Sequence, residues 1–223
     1  MPTIESVYDW YPSKDLIHGL DHVRRVYRLA EHLARAEGAD VEIVTAAALL
    51  HDVQTDEDNS GCREHSGCKE HSDYRPDHEQ TAADIARRVL TDEGWIPERV
   101  AAVEHCIRAH RFRHPAEQPQ TLEAQVLFDA DKLDAIGAMG VARAIAYATQ
   151  AGQPAYAIPS ESFLQTGQVM PGEPHSAYHE YLYKLRRIEE RLYTATGRAL
   201  AKERHTLMSH FFEQLDAEAR GQQ

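Results

Sequence analysis

Apolar residues recur at intervals of three and four along almost the whole chain, and no stretch shows the alternation a half-buried strand needs. The first predicted helix covers residues 15–37, with Val26, Leu29, Ala30 and Leu33 on one stripe and Gly38 as its stop. Asp40 is placed to cap the next helix, VEIVTAAALLHDV, whose inner face reads Val44, Ala47, Ala48, His51. Residues 54–76 carry no period and two glycines, which predicts a loop, long for a bundle and so functional or mobile. The helical pattern resumes at Asp77, runs through HEQTAADIARRVL to Leu90 and is interrupted at Gly94. Pro97 suits the first turn of PERVAAVEHCIRAH, with Val100, Val103, Ile107 and His110 facing inward. After the connector HPAEQPQ, residues 121–150 read as one long helix bent around Gly137 and Gly140. Recurrent Pro and Gly make 152–174 irregular. Two helical patterns close the chain: YLYKLRRIEERLY, with Leu182, Leu185, Ile188 and Leu192, and ALAKERHTLMSHFFEQL. The fold class expected is all-α, a single-domain helical bundle over 1–223. Its core spans about 15–150, and helices at about 175–219 pack on it.

Composition narrows the function classes. The 223 residues suffice for one well-buried domain. No apolar run approaches the roughly 20 residues of a membrane helix, and MPTIESVYDWYPSKD lacks the basic start and apolar stretch of an export signal. The expected location is the cytoplasm, with no membrane partner. A formal net charge of −12 argues against bulk nucleic-acid binding but leaves room for a small anionic substrate in a locally basic lining. Three cysteines, Cys62, Cys68 and Cys106, do not make a disulfide framework in a chain without an export signal. Histidine, at 14 residues, is the outlier that directs attention to metal or acid–base chemistry.

Position turns that surplus into a site. His22 lies on the stripe of Val26, Leu29 and Leu33; His51 continues Val44, Ala47, Ala48, with Asp52 beside it. Asp131 follows Leu127 by one turn and precedes Ala135 and Ala138 at the same spacing. Taken singly, each reads as a hydrogen-bonded core histidine or a capping aspartate. Taken together, two imidazoles and two carboxylates from three helices satisfy a divalent metal and leave positions for water and a substrate oxygen. An inward Asp131 otherwise carries the cost of burying a charge.

The segments HGLDHVRRVYRLAEHLA, AAALLHDV and LFDADKLDAIGAMGVARA resemble the three metal-binding blocks of the HD superfamily: a first His, a His-Asp pair and a distant Asp. The resemblance extends to a group of small bacterial and archaeal HD proteins of this length. That group also has a histidine opening the third helix (DHEQTA), an I-x-x-H before the connector (IRAH), and a terminal block like YLYKLRRIEERLYTATGRALAKERH. It implies that His22, His51, Asp52 and Asp131 are metal ligands. It leaves His78 and His110 open between second-metal ligand, phosphate contact and structural hydrogen bond. Lys132, Lys184 and Arg25 become candidates for phosphate contact; each also reads as an ordinary exposed or snorkelling cation.

One local feature departs from that pattern. GCREHS at 61–66 is repeated as GCKEHS at 67–72, which brings Cys62, His65, Cys68 and His71 within ten positions. Zinc takes such residue types, but the two pairs stand closer than in a finger or ribbon. The spacing favours a polar loop duplicated by slippage.

Chemistry and resemblance together imply a metal-dependent phosphohydrolase, with Asp52 and Lys132 as catalytic residues and a small phosphorylated partner, expected to be a nucleotide. Some members of the similar group convert nucleoside triphosphates to monophosphates and pyrophosphate with manganese. The donor set itself accepts manganese, magnesium, cobalt, nickel, iron or zinc. Competing readings are a phosphomonoesterase or cyclic-nucleotide phosphodiesterase, a di-iron oxygenase drawing on His78 and His110, and a non-catalytic nucleotide sensor. Oligomeric state is not specified; a homodimer is compatible with the chain.

Overall fold

The computed structural model describes residues 2–11, 19–53, 78–111 and 117–222. Every regular element among them is a helix. The repeat bearing Cys62, His65, Cys68 and His71 lies outside the described residues, as do the first residues of the expected 15–37 helix and the side chain of His78. Among the described residues, no helix is long and apolar enough to cross a membrane. The chain divides into two compact units, 1–131 with 193–197, and 132–192 with 198–223.

In the first unit α1 (Leu20–Glu37) buries His22, Val23, Val26, Ala30, Leu33 and Ala34, and ends at Gly38 with φ +78°. Leu29 of the expected stripe is only half-buried, and Val23 takes its place. α2 (Val41–Leu50) is buried at every position from Ile43 to Leu50. A helix apolar on all sides belongs at a centre, and α2 packs on α1, α3 (His78–Asp92) and α4 (Pro97–Arg108). Each fully buried leucine or valine there contributes roughly 1.5–3 kcal/mol. Its start is fixed as the sequence predicts: Asp40 Oδ1 accepts from Glu42 N at 3.0 Å and Ile43 N at 3.2 Å. Arg99 of α4 adds a two-pronged bond to the same carboxylate, at 2.8 and 3.1 Å. That guanidinium holds the Asp40 carboxyl below the usual carboxylate range.

The expected single helix over 121–150 is two: α5 (Leu122–Asp134) and α6 (Gly137–Gln150). The break falls at two glycines that no other residue could replace without strain. Gly137 adopts φ +75°, where a Cβ would lie 2.9 Å from Arg204 Cβ, and a Cβ on Gly140 would lie 2.3 Å from the Ala135 carbonyl oxygen. Consequently Ala135 and Ala138 do not extend the Asp131 stripe, and Ala138 is exposed.

In the second unit the irregular stretch contains a short helix, α7 (Glu161–Thr166), capped by Ser160. The YLYKLRRIEERLY pattern is α8 (Ala177–Tyr183) followed by two 3₁₀ turns, Leu185–Arg187 and Glu189–Arg191. Leu185 and Ile188, three apart, are both buried, the spacing that a three-residue turn aligns. The chain closes with α9 (Ala195–Ala219).

Candidate metal centre

His22 is the third residue of α1, His51 is the C-terminal cap of α2, Asp52 follows in the turn, and Asp131 sits on α5. Packing α1 on α2 brings the first three together. His22 Nε2 stands 3.6 Å from Asp52 Oδ2 and 3.4 Å from Asp131 Oδ1. His51 Nε2 stands 3.5 Å from Asp52 Oδ2 and 4.0 Å from Asp131 Oδ1. Donor atoms of His22, His51 and Asp131 all lie within 4.8 Å of one another. Two donors bound to one small cation at about 2.1 Å stand about 3–4 Å apart, longer than a hydrogen bond. His22, His51 and Asp131 are placed to hold a metal.

The protonation of His51 supports the fit. Its Nδ1 donates to the Ala48 carbonyl at 2.9 Å, an assignment that leaves Nε2 with its lone pair toward the cluster. That Nε2 is buried and has no hydrogen-bond partner among the described residues. Burial pushes the imidazole pKa down, against the upward pull of Asp52 and Asp131. Neutral imidazole with an inward lone pair is the ligating form, and the carbonyl behind it is the usual outer partner of a metal-bound histidine.

His110 joins the cluster at its edge. It is buried just past α4, its Nε2 lies 3.8 Å from Asp52 Oδ1, and its ring meets that of His51 edge-on at 5.2 Å. His78 opens α3. Of the proposed cations, Arg25 is half-buried on α1 and Lys132 half-buried on α5 next to Asp131. Lys184 lies in the other unit, its Nζ 3.3 Å from Glu180 Oε1.

Three buried residues that the pattern along the chain did not single out support the segments that carry these side chains. Glu79, buried at the start of α3, pairs with Arg111 at 3.1 Å. Asp129, fully buried two positions before Asp131, accepts from Tyr193 N, Thr194 N and Thr194 Oγ1 at 2.7–2.9 Å and so fixes α5. Tyr11 donates its hydroxyl to the Leu49 carbonyl at 2.7 Å. Their partners lie between 32 and 65 residues away in sequence; only the charge of Asp129 amid Phe128 and Ala130 gave a signal.

The family model of the HD domain matches residues 19–136, a span that contains His22, His51, Asp52 and Asp131. YpgQ of Bacillus subtilis is 32% identical over 208 residues, covering 92% of this chain and 85% of YpgQ. Its crystal structure in complex with ADP superposes with a TM-score of 0.67 at 29% identity, over 97% of each chain. A Lactobacillus plantarum protein of known structure gives a TM-score of 0.71 at 28% identity, over 99% of this chain and 100% of that one. A Bacillus thuringiensis HD-superfamily hydrolase gives 0.60 at 25% identity, over 91% and 87%.

Proposed function

The chain belongs to the HD-domain family, and from that premise we propose that it is a divalent-metal-dependent phosphohydrolase acting on nucleotides. The observation that carries the reading is the convergence of His22, His51, Asp52 and Asp131 around a buried His51 Nε2 that has no hydrogen-bond partner among the described residues. ADP bound to the related YpgQ supports a nucleotide as ligand.

In this reading a divalent ion supplies Lewis acidity toward a phosphoryl oxygen and acidifies a bound water. The chain's own residues do the rest. His22 and His51 offer neutral nitrogen donors, and Asp52 and Asp131 offset the ion's charge. Asp52 has its Oδ2 toward both imidazoles and its Oδ1 toward His110 Nε2, a position from which it can take a proton and share it with His110. Lys132, one residue beyond Asp131, neutralises phosphate oxygens as negative charge builds. Arg25 and Lys184 are the secondary candidates for that task.

Protein stripped of metal and resupplied with manganese, magnesium, cobalt or nickel is assayed against nucleoside tri-, di- and monophosphates, cyclic nucleotides and simple phosphate esters. Hydrolysis is expected only with metal, and pyrophosphate release distinguishes a pyrophosphohydrolase from a phosphatase. His51→Ala and Asp52→Ala should lose metal binding while keeping helical circular dichroism. Metal-loaded protein that hydrolyses none of these compounds refutes the reading. Bound iron with oxygen consumption would then favour the oxygenase alternative, for which His110 beside Asp52 is the supporting observation.

A further inference from the structure

The His51–Asp52 pair lies just beyond the last turn of α2, where a helix leaves its final carbonyls without intrahelical partners. Three donors supply them. His51 Nδ1 serves Ala48 at 2.9 Å, Val53 N serves Leu50 at 3.4 Å, and Tyr11 Oη serves Leu49 at 2.7 Å. The first two donors belong to the turn itself. Tyr11 comes from 38 residues upstream, outside the span the HD family model matches, and is almost wholly buried.

The phenol oxygen thus holds the carbonyl two residues before His51. Rotation of the peptide planes that follow Leu49 would swing His51 Nε2 and the Asp52 carboxylate away from His22 and Asp131. Phenylalanine would fill the same space yet leave the buried Leu49 carbonyl without this donor, so the ring alone does not do the work. Val7, on the same segment, is fully buried.

We infer that Tyr11 is a positioning residue of the metal centre, its hydroxyl setting the orientation of the His51–Asp52 pair and thereby the affinity for the cation. The inference rests on the metal-binding reading of the site. It gives Tyr11 the role that outer partners of ligating side chains play, whose removal weakens metal binding by about 10–100-fold.

The test uses the full chain, stripped of metal and titrated with manganese. Tyr11→Phe is expected to weaken the dissociation constant by about tenfold or more. Val7→Ala loosens the same segment without touching the hydroxyl and is expected to stay within about twofold of wild type. The His51 ring resonances of the metal-free protein, followed by NMR, should shift in Tyr11→Phe and stay in place in Val7→Ala. A Tyr11→Phe protein that binds manganese within about twofold of wild type overturns the inference. So does Val7→Ala weakening the metal as much, because packing would then explain both. Unshifted His51 resonances in metal-free Tyr11→Phe overturn it as well. Wild type that binds no divalent metal overturns the proposed function and the inference with it, and a His51 shift in Tyr11→Phe would then show only that the hydroxyl orients the imidazole.

Discussion

Lys132 follows Asp131 on α5 and is half-buried, and in the proposed function it is the cation that meets phosphate beside the metal. Lys132→Ala is expected to lower kcat/KM for the nucleotide by about tenfold, equivalent to about 1.4 kcal/mol of transition-state stabilisation, with metal affinity unchanged. Steady-state kinetics alongside a metal titration check it. A variant equal to wild type would move phosphate binding to Arg25 or to Lys184, whose Nζ is engaged with Glu180. The residues of the centre differ in how readily the sequence reveals them. His22, His51 and Asp131 are ionisable groups where a helical period calls for apolar ones, so their inward orientation is written in their spacing. Tyr11 has no such mark: it sits on an aperiodic segment, and its partner lies 38 residues on.

Among the elements, α7 and α8 are held by one side chain. Glu173 accepts from Ser160 N at 2.6 Å, Ser160 Oγ at 2.9 Å, Met170 N at 2.8 Å and His179 Nε2 at 3.2 Å. Ser160 caps α7 and Ser176 caps α8, and the Ser176 hydroxyl lies 2.7 Å from Nδ1 of the buried His179. Burial works against the Glu173 charge, but these donors outweigh it and hold the carboxyl at about 2, below its ordinary 4.5. A depressed carboxyl stabilises the fold above its unfolded pKa and loses that contribution as pH falls through the folded value. Glu173→Gln should therefore be less stable than wild type near neutrality by roughly 1–3 kcal/mol. The gap should shrink between pH 4.5 and about 2. Urea midpoints measured across that range test it, and a gap that does not change with pH would count against the clasp. Sequence patterning found the faces of this region better than its elements. Leu185, Ile188 and Leu192 are buried as expected, yet the backbone between them is 3₁₀, because two different periods place residues three apart on one face.

For the molecule as a whole, the formal charge of −12 opposes the approach of any polyphosphate. In the proposed function, attraction has to come from the metal and from Lys132 or Arg25, which act over short distances. Raising ionic strength from roughly 10 to 150 mM shortens the Debye length from about 30 to 8 Å and screens the repulsion more than the contact. The expected outcome is a rise in kcat/KM with salt at constant free metal, measured with a nucleoside triphosphate. A steep fall with salt would mean that a basic approach surface dominates, contrary to the charge balance.

Helical class, the Asp40 cap, the Pro97 start and the inward placement of His22, His51 and Asp131 follow from the sequence alone. Each depends on neighbours within a turn or two, so the local pattern contains the information. The division of 121–150 into α5 and α6 turns on the positive φ of Gly137, where Arg204 leaves no room for a side chain, and a glycine in sequence does not say whether its helix bends or breaks. The grouping of donor atoms within 4.8 Å came from α1 packing on α2 and from the seat of α5, which Asp129 secures through Tyr193 and Thr194. Those contacts join residues tens of positions apart, where burial and hydrogen-bond satisfaction in three dimensions, rather than periodicity, choose the partner. The same holds for the bond from Tyr11 to Leu49: sequence supplies the hydroxyl, and only the fold decides which carbonyl receives it.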